Sequence, residues 1–113
     1  MKKVLCRLED INEPGARSFE FDEGKDEIEF FVIRWKGELR AYLNRCPHTG
    51  VTLNWAENQF FDLQNEYIQC SLHGALFEPL SGKCIWGPCV GGQLPELHVE
   101  VTSTQMVQVD KPE

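Results

Sequence analysis

The chain has no long apolar run. Its longest unbroken stretches, such as Phe30–Ile33, are only a few residues, far short of the roughly 20 needed to span a bilayer. No transmembrane helix and no membrane partner are expected. Met1-Lys2-Lys3 leads into Val4-Leu5 and then meets Cys6, Arg7, Glu9 and Asp10. A secretory leader needs a longer apolar segment, so a cytoplasmic location is expected. Basic residues are scarce, with 11 Lys and Arg against 18 Asp and Glu and a net charge of −7. Phosphate backbones are bound by Lys/Arg clusters, so this balance argues against a nucleic-acid partner. Internal repeats, low-complexity tracts and linkers are missing, and 113 residues leave room for one hydrophobic core. Residues 1–113 therefore read as a single domain. A phosphate loop, a nucleotide-binding glycine pattern and a set of residues resembling a catalytic triad are missing too.

What the chain does have is sulfur and imidazole. Five cysteines (Cys6, Cys46, Cys70, Cys84, Cys89) and three histidines (His48, His73, His98) occupy a short sequence. An odd number of cysteines leaves a thiol over in any disulfide framework, and a reducing compartment disfavours structural disulfides. Cys paired with His in that setting points to metal binding or catalysis. Four of the eight residues form two compact clusters, Cys46-Pro47-His48 and Cys70-Ser71-Leu72-His73.

Alternation of apolar and polar residues predicts many short strands. Val4, Cys6 and Leu8 share one parity, Phe19 and Phe21 another, as in half-buried strands. Phe30–Arg34 and Leu39–Leu43 are β-rich, and Trp35-Lys36-Gly37-Glu38 between them reads as a hairpin turn. Tyr67–Gln69 and Ala75–Phe77 flank the second cluster, Leu97–Val101 alternates as one strand, and Met106–Val109 closes the sheet. A short helix at Asn54–Gln59 is a further expectation. Close strand spacing with frequent Gly and Pro turns predicts an all-β sandwich or small barrel. Both clusters then fall on loop tips of a β frame, where binding groups are commonly carried. Residues 44–90 form the site region and the flanks form the scaffold.

Two Cys and two His are the ligand set of a tetrahedral zinc site, but zinc usually takes Cys-x₂₋₄-Cys followed by His-x₃₋₅-His. Here each loop supplies one Cys and one His, with 21 residues between His48 and Cys70. A mixed pair on each of two loops suits a binuclear centre. Cys-x-His followed by Cys-x-x-His resembles the ligand signature of Rieske [2Fe–2S] proteins, in which two His replace two Cys on one iron. Cys46–Gly50, Cys70–Phe77, Ser81-Gly82-Lys83 and Gly87-Pro88 resemble that family's two cluster loops, its downstream turn and its proline loop. The spacer is a few residues longer than is common in the family, with the extra length placed near Asn58–Asn65.

The resemblance implies an antiparallel β-sandwich with a cluster-binding subdomain of loops and short strands. It implies one [2Fe–2S] cluster per chain, held by Cys46, His48, Cys70 and His73. Imidazole in place of thiolate makes the cluster less negative and easier to reduce, roughly −150 to +300 mV against about −400 mV for plant-type clusters. High-potential family members carry a Ser and a Tyr that donate to cluster sulfurs, where this chain has Ala75 and Phe77. They also carry a loop-to-loop disulfide, where this chain has Val51 and Leu72. Both departures imply the low-potential, ferredoxin-like branch, and with no obvious substrate site the chain is expected to be an electron carrier that is not catalytic alone. By resemblance, a flavin-containing reductase is the donor and a ring-hydroxylating oxygenase or another oxidoreductase the acceptor. The small subunit of an assimilatory nitrite reductase and a zinc-stabilised interaction module are the competing readings. The His-bound iron is the expected exit for the electron, with Leu72, Pro47 and Pro88 as an apolar rim.

The other residues have plainer roles. Cys84 and Cys89 flank Ile85-Trp86-Gly87-Pro88 and either bridge, act as a redox pair, or pack. Cys6 is expected to pack in the core, and His98 to lie on a solvated strand face. Asp22–Glu29 holds five acids and one base, a solvated loop or a steering patch. Trp35, Trp55 and Trp86 are expected as core or cover, and Phe60-Phe61 as the pair left exposed for a partner.

Overall fold

The computed structural model describes residues 2–23, 26–47, 52–54, 56–71 and 74–110. Its strands are β1 (Lys2–Arg7), β2 (Gly15–Glu23), β3 (Asp26–Trp35), β4 (Glu38–Leu43), β5 (Ile68–Gln69), β6 (Leu76–Phe77), β7 (Cys84–Trp86), β8 (Glu96–Leu97), β9 (Val99–Val101) and β10 (Met106–Asp110). One 3₁₀ turn, Leu8–Asp10, follows β1. The strands form three antiparallel sheets with orders β1-β10-β9, β2-β3-β4-β8 and β5-β6-β7. The all-β expectation holds. Among the described residues no helix is long and apolar enough to cross a membrane.

The central sheet is the reason Phe30–Ile33 is an unbroken apolar run. Side chains alternate between the two faces of a strand, and here both faces are covered. Phe30 and Val32 join Ile11, Phe21, Val107 and Val109 in one buried cluster. Phe31 and Ile33 join Tyr42, Phe60, Ile68 and Phe77 in the other. β4 divides the same way, with Ala41 in the first cluster and Tyr42 in the second. A strand buried on both faces reads as continuously apolar rather than alternating. The first cluster is scaffold; the second contains Cys46 and Cys70.

Two ties fix the small sheet to the central one. The Tyr42 hydroxyl, buried, donates to the Pro79 carbonyl at 2.7 Å, and its burial pushes the phenol pKa well up. Gly82, at φ +74, lies so close to the Tyr42 ring that a Cβ there would meet Cε1 at 2.8 Å. Gly82→Ala therefore combines a left-handed backbone with overpacking of a buried ring. We expect a loss of about 2–4 kcal/mol, seen as a lower denaturation midpoint at unchanged m.

The hairpin at Trp35–Glu38 is present, with Lys36 at φ 48 and Gly37 at φ 80, a primed turn matched to strand twist. Three expectations are corrected. β1 carries a bulge between Val4 and Cys6, so the predicted parity breaks: Val4 is exposed while Leu5 and Cys6 both pack against the first cluster. Leu97–Val101 is not one strand; Leu97 pairs with Ala41 in the central sheet, and Val99–Val101 pairs with β10 in another. No helix forms among the described residues of 54–59, where Ala56 and Gln59 instead form an isolated bridge.

Candidate metal centre

The first loop leaves β4 at Leu43 and is closed by an asparagine clasp. Asn44, 8% exposed, accepts the Leu53 N–H on Oδ1 at 2.7 Å and donates from Nδ2 to Asn54 Oδ1 at 2.9 Å. Its own N–H donates to the Glu29 carbonyl at 2.9 Å. The two ends of the loop are thus held together across nine residues. A buried amide is costly unless its donors and acceptors are matched, and here they are. The motif reading missed Asn44 and Asn54; the only signal was their position flanking the first Cys/His pair.

The second loop is a tight turn. The Cys70 N–H donates to the Ala75 carbonyl and the Cys70 carbonyl accepts from Gly74, both at 2.9 Å. The Ser71 N–H donates to the Leu53 carbonyl at 2.9 Å, which ties this loop to the first. Cys46 and Cys70, 2% and 0% exposed, lie in one buried cluster with Leu53, Ala75, Cys84 and Cys89. Pro47 and Ser71, one residue on from each, are exposed. Each sulfur is thus held inside while its loop turns outward. His48, His73, Val51, Leu72 and Trp55 lie outside the described residues.

The proline loop closes the region from the far side. Gly87, at φ +106, packs so tightly on Ala75 that a Cβ there would meet the Ala75 Cα at 2.9 Å. Pro47 and Pro88, both expected in the rim, are exposed. Trp86 is 60% exposed, a cover rather than a core residue: its Cζ3 lies 3.7 Å from where a Cβ on Gly74 would stand, over the second loop. Ile85, next to it on the edge strand β7, is exposed as well.

Phe60 and Phe61 are not the exposed pair. Phe60 is fully buried, stacked on Phe31 with ring centroids 4.1 Å apart at 11°. Phe61 is bridged to Ile68. The long spacer is fastened instead of protruding. Asp62 Oδ1 accepts from Glu66 and Tyr67, Asn58 Oδ1 accepts the Ser18 N–H at 2.7 Å, and the Trp35 indole donates to the Asn65 carbonyl at 2.8 Å. The residue left outward at its tip is Leu63.

Cys84 and Cys89 are free thiols, 6% and 7% exposed. Burial first, then a hydrogen bond to Cys84 and the nearby sulfurs of Cys84 and Cys46, push the Cys89 thiol up to about 12. Such a thiol is neutral and unreactive at physiological pH. Among the described residues no three Cys, His, Asp or Glu side chains are gathered as a metal site, so these two thiols do not complete one with Cys46. Cys6 packs partly buried as expected, and the His98 side chain is 64% exposed beside Glu100.

Two buried sulfurs at the tips of two bonded loops fit a cluster that needs apolar surroundings and thiolates from separate loops. Comparison with known proteins agrees. Residues 1–105 match the family model described as Rieske [2Fe-2S] domain. The oxygenase component of chloroacetanilide N-alkylformylase from Rhizorhabdus wittichii is 36% identical over 62 residues, which is 55% of this chain but only 16% of that protein. The ferredoxin of carbazole 1,9a-dioxygenase from Nocardioides aromaticivorans superposes with a TM-score of 0.71 at 23% identity, covering 96% of both chains. A putative NADH-dependent nitrite reductase small subunit from Mycobacterium tuberculosis superposes at 0.70 and 19% identity, covering 100% of this chain and 96% of that one. These two likenesses concern the fold. The family model spans nearly the whole chain, and such a domain implies one [2Fe–2S] cluster per chain: the protein belongs to the Rieske [2Fe–2S] family.

Proposed function

We propose that the protein is a one-electron carrier in which Cys46, His48, Cys70 and His73 hold the cluster. Residues 44–90 form its binding region, and the flanking strands the rest of a single domain. The observation that carries this reading is the pairing of two buried sulfurs, Cys46 and Cys70, on loops joined by the Ser71–Leu53 hydrogen bond. The cluster supplies a site that accepts and releases a single electron. The chain's part is to exclude water from the sulfur side and to present an apolar rim. Pro47, Pro88, Trp86 and Val90 are exposed around the loops, the kind of apolar surface that marks contact with another protein. In this reading the electron leaves through His48 and His73 to whatever docks there.

A flavin-containing reductase as donor and an oxygenase as acceptor fit best. The stretch shared with an oxygenase component and the likeness to an oxygenase ferredoxin support the acceptor. The purified protein is expected to be reddish-brown and to show a Rieske-type electron paramagnetic signal once reduced. It should be a stable monomer that takes electrons from a separate flavin reductase and returns to the oxidised form on adding an oxygenase. A colourless protein with one zinc per chain overturns the proposal in favour of an interaction module. Isolation only as a tight subunit of a larger oxidoreductase overturns the carrier role in favour of a nitrite-reductase type subunit.

A further inference from the structure

Of the three cysteines outside the proposed ligand set, Cys84 and Cys89 sit in the buried cluster with the two inside it. Cys84 and Cys89 are brought together by the proline loop. The Cys84 N–H donates to the Gly92 carbonyl at 3.0 Å, the Gly92 N–H to the Cys89 carbonyl at 2.8 Å, and the Val90 N–H to the Gly87 carbonyl at 3.3 Å. The Cys84 thiol donates to the Trp86 carbonyl at 3.4 Å. That commits the one proton Cys84 has, so the Cys84 thiol does not donate to Cys89. The same turn abuts the first cluster loop. A Cβ on Gly92 would lie 3.2 Å from the Cys89 carbonyl oxygen and 3.6 Å from the Pro47 Cβ, and Pro47 is the residue after Cys46. The Cys89 sulfur is also within electrostatic reach of the Cys46 sulfur.

We propose that Cys89 sets the reduction potential through Cys46, by presenting its S–H to the Cys46 sulfur, with Cys84 packed in the same cluster and its own S–H turned to the Trp86 carbonyl. This rests on the reading of Cys46 as a ligand. With Cys46 a thiolate, its sulfur is a better acceptor than the neutral sulfur of Cys84, because hydrogen bonds to an ionised acceptor are roughly twice as strong as neutral ones. Reduction adds negative charge that spreads onto the ligand sulfurs, so the S–H stabilises the reduced state more than the oxidised one. Ala75 and Phe77 offer no hydroxyl from the second loop. The donor arrives instead from the proline loop.

The test compares reduction potentials of the loaded wild type with Cys89→Val, Cys89→Ser and Cys84→Val. Removing the donor in Cys89→Val should lower the reduction equilibrium constant about three- to tenfold, where tenfold is about 59 mV for a one-electron couple. Cys89→Ser keeps a donor and should stay at or above the wild type. Cys84→Val should move the potential less than Cys89→Val. Iron–sulfur stretching bands should shift in D₂O for the wild type and not for Cys89→Val; Cys89→Ala supplies both measurements if the Val protein does not fold. An unchanged potential in the donor-free variant, or a D₂O shift that survives it, overturns the proposal while leaving the ligand reading intact. A Cys84–Cys89 disulfide in the native protein also overturns it, since no S–H is then available. A wild type with no Rieske signal overturns both.

Discussion

Cys70→Ala yields a protein without the visible absorption and the Rieske-type paramagnetic signal of the parent, and His73→Ala abolishes the signal as well, while His98→Ala keeps both at parental intensity. The contrast between Cys70 and His98 follows from where their side chains stand. Cys70 is fully buried, and its backbone is fixed in both directions by the bonds to Ala75 and Gly74. Water cannot substitute for the lost thiolate there. Removing a ligand's supporting partner already costs about 10–100-fold in metal affinity, so removing a ligand itself should leave occupancy below about a tenth. His98 lies between two sheets on an exposed stretch, with Glu100 3.8 Å away, and touches none of this. Iron per chain and the signal of the dithionite-reduced protein measure the outcome. Because cluster binding is linked to folding, the Cys70 variant should also unfold at lower denaturant. Loss of signal in the His98 variant, or its survival in the His73 variant, removes the ligand assignment.

The two Cys/His pairs stand out in the sequence because their information is local. Cys-x-His and Cys-x-x-His are set by spacing along the chain, and spacing survives whatever the surrounding fold does. The hairpin at Lys36-Gly37 was legible for the same reason, since a two-residue turn needs particular backbone angles that particular residues supply. What escaped depends on partners distant in sequence. Phe60 and Phe61 are adjacent, so one should point outward on a strand. They are both buried because the stretch around them is irregular and each finds its own cover, Phe31 and Ile68. Leu97–Val101 alternates well enough to pass for one strand; only the competition between Ala41 and β10 for its two halves splits it at His98. The asparagine clasp escaped because Asn44 and Asn54 are ordinary turn residues until the loop between them closes.

Ala75→Ser and Phe77→Tyr together should raise the reduction potential by about 100 mV, tenfold in the equilibrium constant being about 59 mV for one electron. The wild type should lie below about +100 mV, in the lower part of the range spanned by Rieske centres. The physical basis is that a hydroxyl aimed at a cluster sulfur favours the more negative, reduced state. Both positions are fully buried in the cluster of side chains that holds Cys46 and Cys70, so a hydroxyl placed there is removed from water and finds sulfur as its partner. Ala75 has the shorter path, being bonded through its carbonyl to the Cys70 N–H. Its surroundings are also the tighter, with the Gly87 backbone against it. The Ser variant adds a single oxygen and should fold; the Tyr variant lengthens a buried ring and should cost about 1–3 kcal/mol in overpacking. Protein-film voltammetry on each single variant separates the two hydroxyls, and Phe77→Leu, which changes packing without adding a donor, should leave the potential near that of the wild type. A wild-type potential well above about +100 mV means that donors other than hydroxyls at these two positions already satisfy the sulfurs. The substitutions would then add little, and the low-potential reading would fall.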